Sequence, residues 1–254
     1  MTEPLQQARR ADAALDALFC LAEDRAPEQE AAPLPTYDVL KAEMERDSGK
    51  GPSPRSFPYA WRVGASQAEI ERAATDLIAE TDEAKIKAYL ELFHKRAFPG
   101  DPTVLFPLLG SADRHIEFGA AIALGRISHP AIRDIALRLI AEKRPIVGAR
   151  VLRSSRQEGD LATLTEVLDE LIYDEETYHG VGLSVLDMLK HSANGSEDAR
   201  PILLHLYENG PCSICRWSAV ERLASAGGVP DWMVEEGRYD AEPEIAERFR
   251  LPES

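Results

Sequence analysis

Residues 101–125, DPTVLFPLLGSADRHIEFGAAIALG, decide the fold. Asp101-Pro102 reads as a helix start: the carboxylate can accept from the first free amides, and proline needs no donor in the first turn. Leu105, Leu108 and Leu109 follow at helical spacing, and Gly110-Ser111 interrupts the run. A longer helix is then expected from Ala112 to Ile127, with Ile116, Ala120, Ala121 and Leu124 on one face. Two short helices with so brief a link between them must lie roughly antiparallel.

Working outward, the same unit recurs. Downstream, helices are expected over Pro130–Ala141 and Pro145–Arg156, over Asp160–Leu171 and His179–His191, and over Ser196–Glu208 and Pro211–Ala226. Upstream, Ser66 and Glu69 form an S-x-x-E capping box ahead of Ile70, Ala73, Ala74, Leu77 and Ile78. Asp82 opens the partner helix, with Ile86, Tyr89, Leu90 and Phe93 apolar, and Pro99-Gly100 ends it. Five pairs can thus be drawn between Ser66 and Ala226, and the first-helix starts at Pro102, Pro130, Asp160 and Ser196 lie 28, 30 and 36 residues apart. One pair alone has too little apolar face to be stable, whereas stacked pairs bury a continuous core. The expected fold is all-α, a right-handed α-α superhelix with atypical terminal helices; an irregular helical bundle is the alternative.

The flanks differ in character. Residues 1–60 read as an N-terminal helical cap with Pro/Gly-rich linkers, residues 61–226 as the solenoid and residues 227–254 as a C-terminal capping segment. Within the first, a helix is expected over Glu3–Glu23, a loop over Asp24–Pro35, and a short helix over Tyr37–Glu45 with Val39 and Leu40 facing inward. Asp47 to Tyr59 contains two Gly and three Pro and holds no regular element. Past Gly227, short helices carrying Trp232, Met233, Ile245 and Phe249 are expected to cover the edge of the last pair.

Composition narrows the class. The chain has 254 residues, 44% of them hydrophobic, so it can bury a core and is not disordered throughout. No stretch approaches the length of a membrane span, and the opening residues do not read as a signal peptide. Three cysteines make no disulfide framework, and a cytoplasmic, reducing compartment is the simplest expectation. The net charge of -15 is unevenly spread: -4 over residues 1–60, +1 over 61–150 and -12 over 151–254. Such an acidic carboxyl-terminal third repels phosphate backbones and membranes. Yet between Arg126 and Gln157 the balance is +6.

The stretch from Glu69 to Ala226 resembles the HEAT or HEAT-like repeat family. The leading proline and spaced leucines of Asp101–Leu109 match that family's first helix. Asp113, Ile116, Ala120, Ala121, Leu124 and Gly125 are similar to its D-x-x-hydrophobic-R-x-x-A-x-x-A-L-G second helix. Glu117 stands where a basic residue is common, which removes the usual inter-repeat arginine. In the last pair Ile214, Cys215, Arg216, Ala219, Val220 and Leu223 follow the pattern well. The resemblance implies an α-solenoid whose second helices line a concave groove; it is nearly silent on function, because one scaffold serves many roles.

On that expectation Arg126, Arg144, Arg150, Arg153 and Arg156 are the candidate partner-binding residues. Arg150, Arg153 and Arg156 form a slanted stripe on one helix, able to grip carboxylates or phosphates bidentately, while Ile146, Val147, Val151 and Leu152 pack against neighbours. The alternative is that these arginines balance the acidic units or solvate the surface. Pro211-Cys212-Ser213-Ile214-Cys215 is the sharpest chemical motif. Two such cysteines can pack as small apolar residues, bind a metal or cycle as a dithiol. A metal needs further ligands, and His191 and His205 are the histidines at hand in sequence. His129 is a helix-start residue, and the other histidines are expected at polar, exposed or edge positions. Tyr173-Asp174-Glu175-Glu176 reads as a solvated turn.

No phosphate loop, nucleophile elbow or H-E-x-x-H occurs, so no catalytic residue is nominated and no cofactor is expected. The function expected is a non-catalytic protein–protein interaction scaffold with a protein or peptide partner. The alternative is a HEAT-like nucleic-acid-binding protein, or an enzyme similar to the alkylpurine DNA glycosylases of that fold. That family's catalytic motif has no residue-by-residue match here, and Trp61, Trp217 and Trp232 lie outside the basic window. The oligomeric state is left open.

Overall fold

Helices begin where short polar side chains can take up free amides. Ser66 accepts from the Glu69 amide at 3.4 Å while the Glu69 carboxylate accepts from the Ser66 amide at 3.0 Å, completing the capping box. Asp82 accepts from the amides of Ala84 and Lys85, Asp101 from Thr103, and Asp113 from His115 and Ile116. His129 does the same for Ala131 through Nδ1 at 3.2 Å, confirming it as a helix-start residue.

The computed structural model describes residues 34–47, 57, 59–190 and 199–250. The helix expected over Glu3–Glu23 lies outside them, as do most of the loops expected over Asp24–Pro35 and Asp47–Tyr59. The described residues are helical and contain no strand. In order, the helices are α1 (Tyr37–Asp47), α2 (Tyr59–Gly64), α3 (Gln67–Ala79), α4 (Glu83–Leu92), a 3-10 helix (Pro102–Gly110), α5 (Arg114–Leu124), α6 (Pro130–Ala141), α7 (Pro145–Leu152), α8 (Asp160–Glu170), α9 (Glu175–Lys190), α10 (Ala199–Asn209), α11 (Ser213–Ser225), α12 (Asp231–Gly237) and α13 (Pro243–Arg248).

Several boundaries depart from expectation, each for a local reason. The segment after Asp101 is a 3-10 helix because Pro107 lies inside it and cannot donate an α-helical hydrogen bond. Helix α7 stops at Leu152, short of Arg156. Gly159, at φ 87°, takes the cap position of α8, a conformation L side chains avoid. Asp160 is therefore not the cap; its carboxylate accepts from the Gln157 amide at 2.7 Å and from Arg133 at 2.7 and 3.0 Å. Helix α9 begins at Glu175 rather than His179, with Asp174 accepting from the Thr177 amide at 3.2 Å, and α11 begins at Ser213 rather than Pro211. Val39 and Ile78, expected inward, are 48% and 58% exposed. On α1 the buried positions are Tyr37, Leu40 and Met44, a spacing that leaves Val39 outside.

Helices pack as successive pairs, α3 with α4, the 3-10 helix with α5, α6 with α7, α8 with α9, α10 with α11 and α12 with α13, and packing also joins alternate ones. One row runs α4, α5, α7, α9, α11, each member touching the next. Their partners α3, the 3-10 helix, α6, α8 and α10 each pack against a member of that row, with α8 touching α10 and α6 touching the 3-10 helix. A single hydrophobic core runs from Tyr37 to Phe249. Backbones approach closely where glycine allows it: a Cβ on Gly148 would lie 2.8 Å from the Ala136 carbonyl oxygen, and one on Gly125 only 2.3 Å from that of Arg150. These glycines seat α7 against α6 and against the end of α5.

Ion pairs cross the same seams. Lys87 reaches Asp113 at 2.5 Å, Arg153 reaches Asp187 at 2.9 Å, and Arg144 bonds Glu117. At the N-terminal end Tyr37, Phe57 and Trp61 stack with Tyr89 alongside, and the Tyr37 hydroxyl donates to Asp76 at 2.5 Å. At the other end α13 packs on α11 and α12, Trp232 lies over Tyr207, and Arg216 bonds Asp240.

Candidate functional site

The five nominated arginines do not share one surface. Arg144 precedes α7 and turns back to the Leu109 carbonyl and Glu117, joining two helix pairs. Glu117 and Arg144 thus form an inter-unit contact in which the acid sits on α5 and the base on the next pair. Arg153 is only 12% exposed in its side chain and is paired with Asp187 of α9. Arg156 lies half-buried beyond the end of α7. Val151 and Leu152 are fully buried, whereas Ile146 and Val147 are partly so.

The charges of Arg62, Arg126, Arg150 and Lys95 all bear on His94, a residue expected at a polar, exposed or edge position. The Arg150 guanidinium stacks 3.8 Å above the Phe118 ring, and Arg62 lies 3.8 Å from Glu91. His94 Nε2 is buried and finds no hydrogen-bond partner among the described residues. Burial, reinforced by the guanidiniums of Arg62, Arg126 and Arg150, pushes this imidazole down to about 3, so it is neutral at physiological pH. Gly119 lets α5 lie close to α4: a Cβ there would stand 3.1 Å from Leu90 Cβ, with His94 Nε2 in ordinary contact at 3.6 Å.

Further along the row, Arg222 of α11 is held below the usual guanidinium range by burial, against which Asp187 acts in the opposite sense. Asp187, paired with Arg153, thus also acts electrostatically on Arg222. Trp217, Ser218, Glu221, Arg222 and Ser225 line a surface depression on the same helix. Trp61 is buried in the aromatic cluster at the N-terminal end.

The second constellation is built on α9 and the start of α11. Cys212 stands at the cap position of α11 and Cys215 one turn in, buried; both are free thiols. His179, in the second turn of α9, brings Nδ1 to 3.3 Å from the Cys215 sulfur. One donor atom from each of the three residues lies within 4.8 Å of the other two. The hydrogen bond with Cys215 lowers the Cys212 thiol to about 4 against the opposing effect of burial, with His179 adding to the shift. Tyr178 stacks on His205 and donates to its carbonyl at 3.3 Å, and His205 Nδ1 lies 3.5 Å from Asp169. The histidine that joins the cysteines is thus His179, not His205; His191 lies outside the described residues. The arrangement can hold a soft or borderline metal ion, or supply a reactive thiolate.

Tyr173 is 99% exposed in its turn. No helix among the described residues is long and apolar enough to cross a membrane. Comparison of the chain with family models, with curated proteins and with solved structures finds no match to any of the three.

Proposed function

We propose that the chain is a non-catalytic interaction scaffold of the HEAT-like solenoid kind, whose second-helix row receives an acidic segment of a protein partner. The observation that carries this reading is that the charges of Arg62 on α2, Arg126 just past α5 and Arg150 on α7 all act on one neutral, partly buried His94 just past α4. Guanidinium planes suit carboxylates. The side-by-side packing of α4, α5, α7, α9 and α11 supports the solenoid part of the reading, because sequential stacking is what such repeats require. Partner-binding residues are accordingly Arg126 and Arg150, joined by Arg62; Arg144 and Arg153 hold neighbouring helices together.

The test is affinity capture from the native cell with wild-type chain and an Arg126→Glu/Arg150→Glu variant of unchanged helicity. A specific protein retained by the wild type and lost by the variant is expected; equal retention refutes the site. Titration of labelled duplex DNA at low and moderate salt addresses the nucleic-acid alternative. Binding with a steep salt dependence would favour that alternative, since phosphate contacts release counterions.

A further inference from the structure

We infer that His179, Cys212 and Cys215 form a Zn2+ site, with two thiolates and one imidazole as the protein donors and a water completing the tetrahedron. Three observations lead there. The C-x-x-C spacing places both sulfurs on one turn at the start of α11, where the free amide donors favour negative sulfur. The third donor comes from a different helix and meets the buried sulfur through Nδ1 at 3.3 Å. All three donor atoms fall within 4.8 Å of one another. With Zn–S about 2.3 Å and Zn–N about 2.0 Å, a tetrahedral site has donor–donor edges of roughly 3.5 to 3.8 Å, so small side-chain adjustments bring the atoms to an ion.

Charge favours the same conclusion. Two thiolates, one neutral imidazole and a divalent cation sum to zero, so the loaded centre is a neutral unit suited to a half-buried place. A dithiol acting alone would form or break one S–S bond and would leave His179 without a part. Zn2+ uses all three groups, keeps both sulfurs reduced and ties α9 to α11. Three protein donors are the pattern of open zinc sites, so the fourth position can exchange its water for another ligand.

The full chain, produced with zinc in the medium and dialysed against metal-free buffer, should retain about one zinc per chain by elemental mass spectrometry. Cys212→Ser and His179→Gln, each checked by circular dichroism for unchanged helicity, should drop well below half. Cys20→Ser should retain the wild-type content. Co2+ added to the metal-free wild type should give a thiolate-to-cobalt charge-transfer band with intense tetrahedral d–d absorption. That spectrum keeps the test decisive if a variant fails to fold. Little zinc in the wild type together with no charge-transfer band overturns the site, as does full zinc retention in both variants or its loss in Cys20→Ser. A Cys212–Cys215 disulfide in freshly prepared protein, with zinc absent, assigns the pair to redox chemistry instead.

Discussion

Lowering the pH from 7.5 to 5.0 should cost this protein stability, and a separable share of that cost belongs to one side chain, His94. Its imidazole is neutral in the folded chain and titrates near 3, against 6.5 when free of the fold. Between those values the unfolded chain binds a proton that the folded chain does not. Stability therefore falls as the pH drops below 6.5, until the folded state also protonates near 3. The full span is about 5 kcal/mol by linkage, and the part reached at pH 5.0 is about 2 kcal/mol. Carboxylates held low in the fold, such as Asp113 beside Lys87, lose their contribution mainly below pH 5 and do so in any His94 variant. Urea denaturation of wild type and His94→Gln at both pH values isolates the histidine. The wild type should lose about 2 kcal/mol more than the variant on acidification. Equal losses in the two proteins would refute the buried, neutral imidazole and the packing of α4 on α5 that enforces it.

Three further outcomes test the stacking itself. Gly148→Ala forces a methyl to within 2.8 Å of the Ala136 carbonyl oxygen and should destabilise by about 1–3 kcal/mol in urea, loosening α6 from α7. Asp160→Asn removes the charge facing Arg133 while keeping the shape; because Asp160 is 3% exposed, a loss of about 3 kcal/mol is expected by thermal or urea denaturation. Ser66→Ala deletes one half of the capping box and should cost about 1 kcal/mol, with local exchange protection at the start of α3 reduced first.

What the sequence revealed and what it withheld divide along the range of the interactions. Capping is local, so Ser66, Asp82 and Asp101 announced their helices, and each side chain accepts amides of the first turn; Asp113, expected inside a helix from Ala112, proves to be the cap of α5. Apolar periodicity is nearly as local, but which edge of a stripe is covered depends on the neighbour, and Val39 and Ile78 fell on the open side. Pro107 was visible in the sequence, yet its consequence, a 3-10 helix, depends on how the segment trades hydrogen bonds along its length. The cysteine pair was legible as a motif. Its partner was not, because His179 lies 33 residues before Cys212 and nothing in that spacing distinguishes it from His205. Only the contact of α9 with α11 does so. Arg144 shows the converse: a residue counted by charge into the basic window is turned by its position before α7 towards Glu117.

The uneven charge along the chain acquires a structural meaning from these pairings. Arg133 meets Asp160, Lys143 meets Glu170 and Arg153 meets Asp187, so three cations of the basic window are matched by acids from the carboxyl-terminal third. Part of the local excess of +6 is therefore cohesion between stacked units, not a field presented to a partner. Arg62, Arg126 and Arg150 come from separate parts of the chain, and the charge of each lowers the same imidazole, that of His94. A duplex needs cations spaced along its phosphates, whereas a guanidinium grouping suits a single anionic group. In the scaffold reading proposed above, such a grouping fits one carboxylate cluster of a protein partner better than a nucleic-acid backbone.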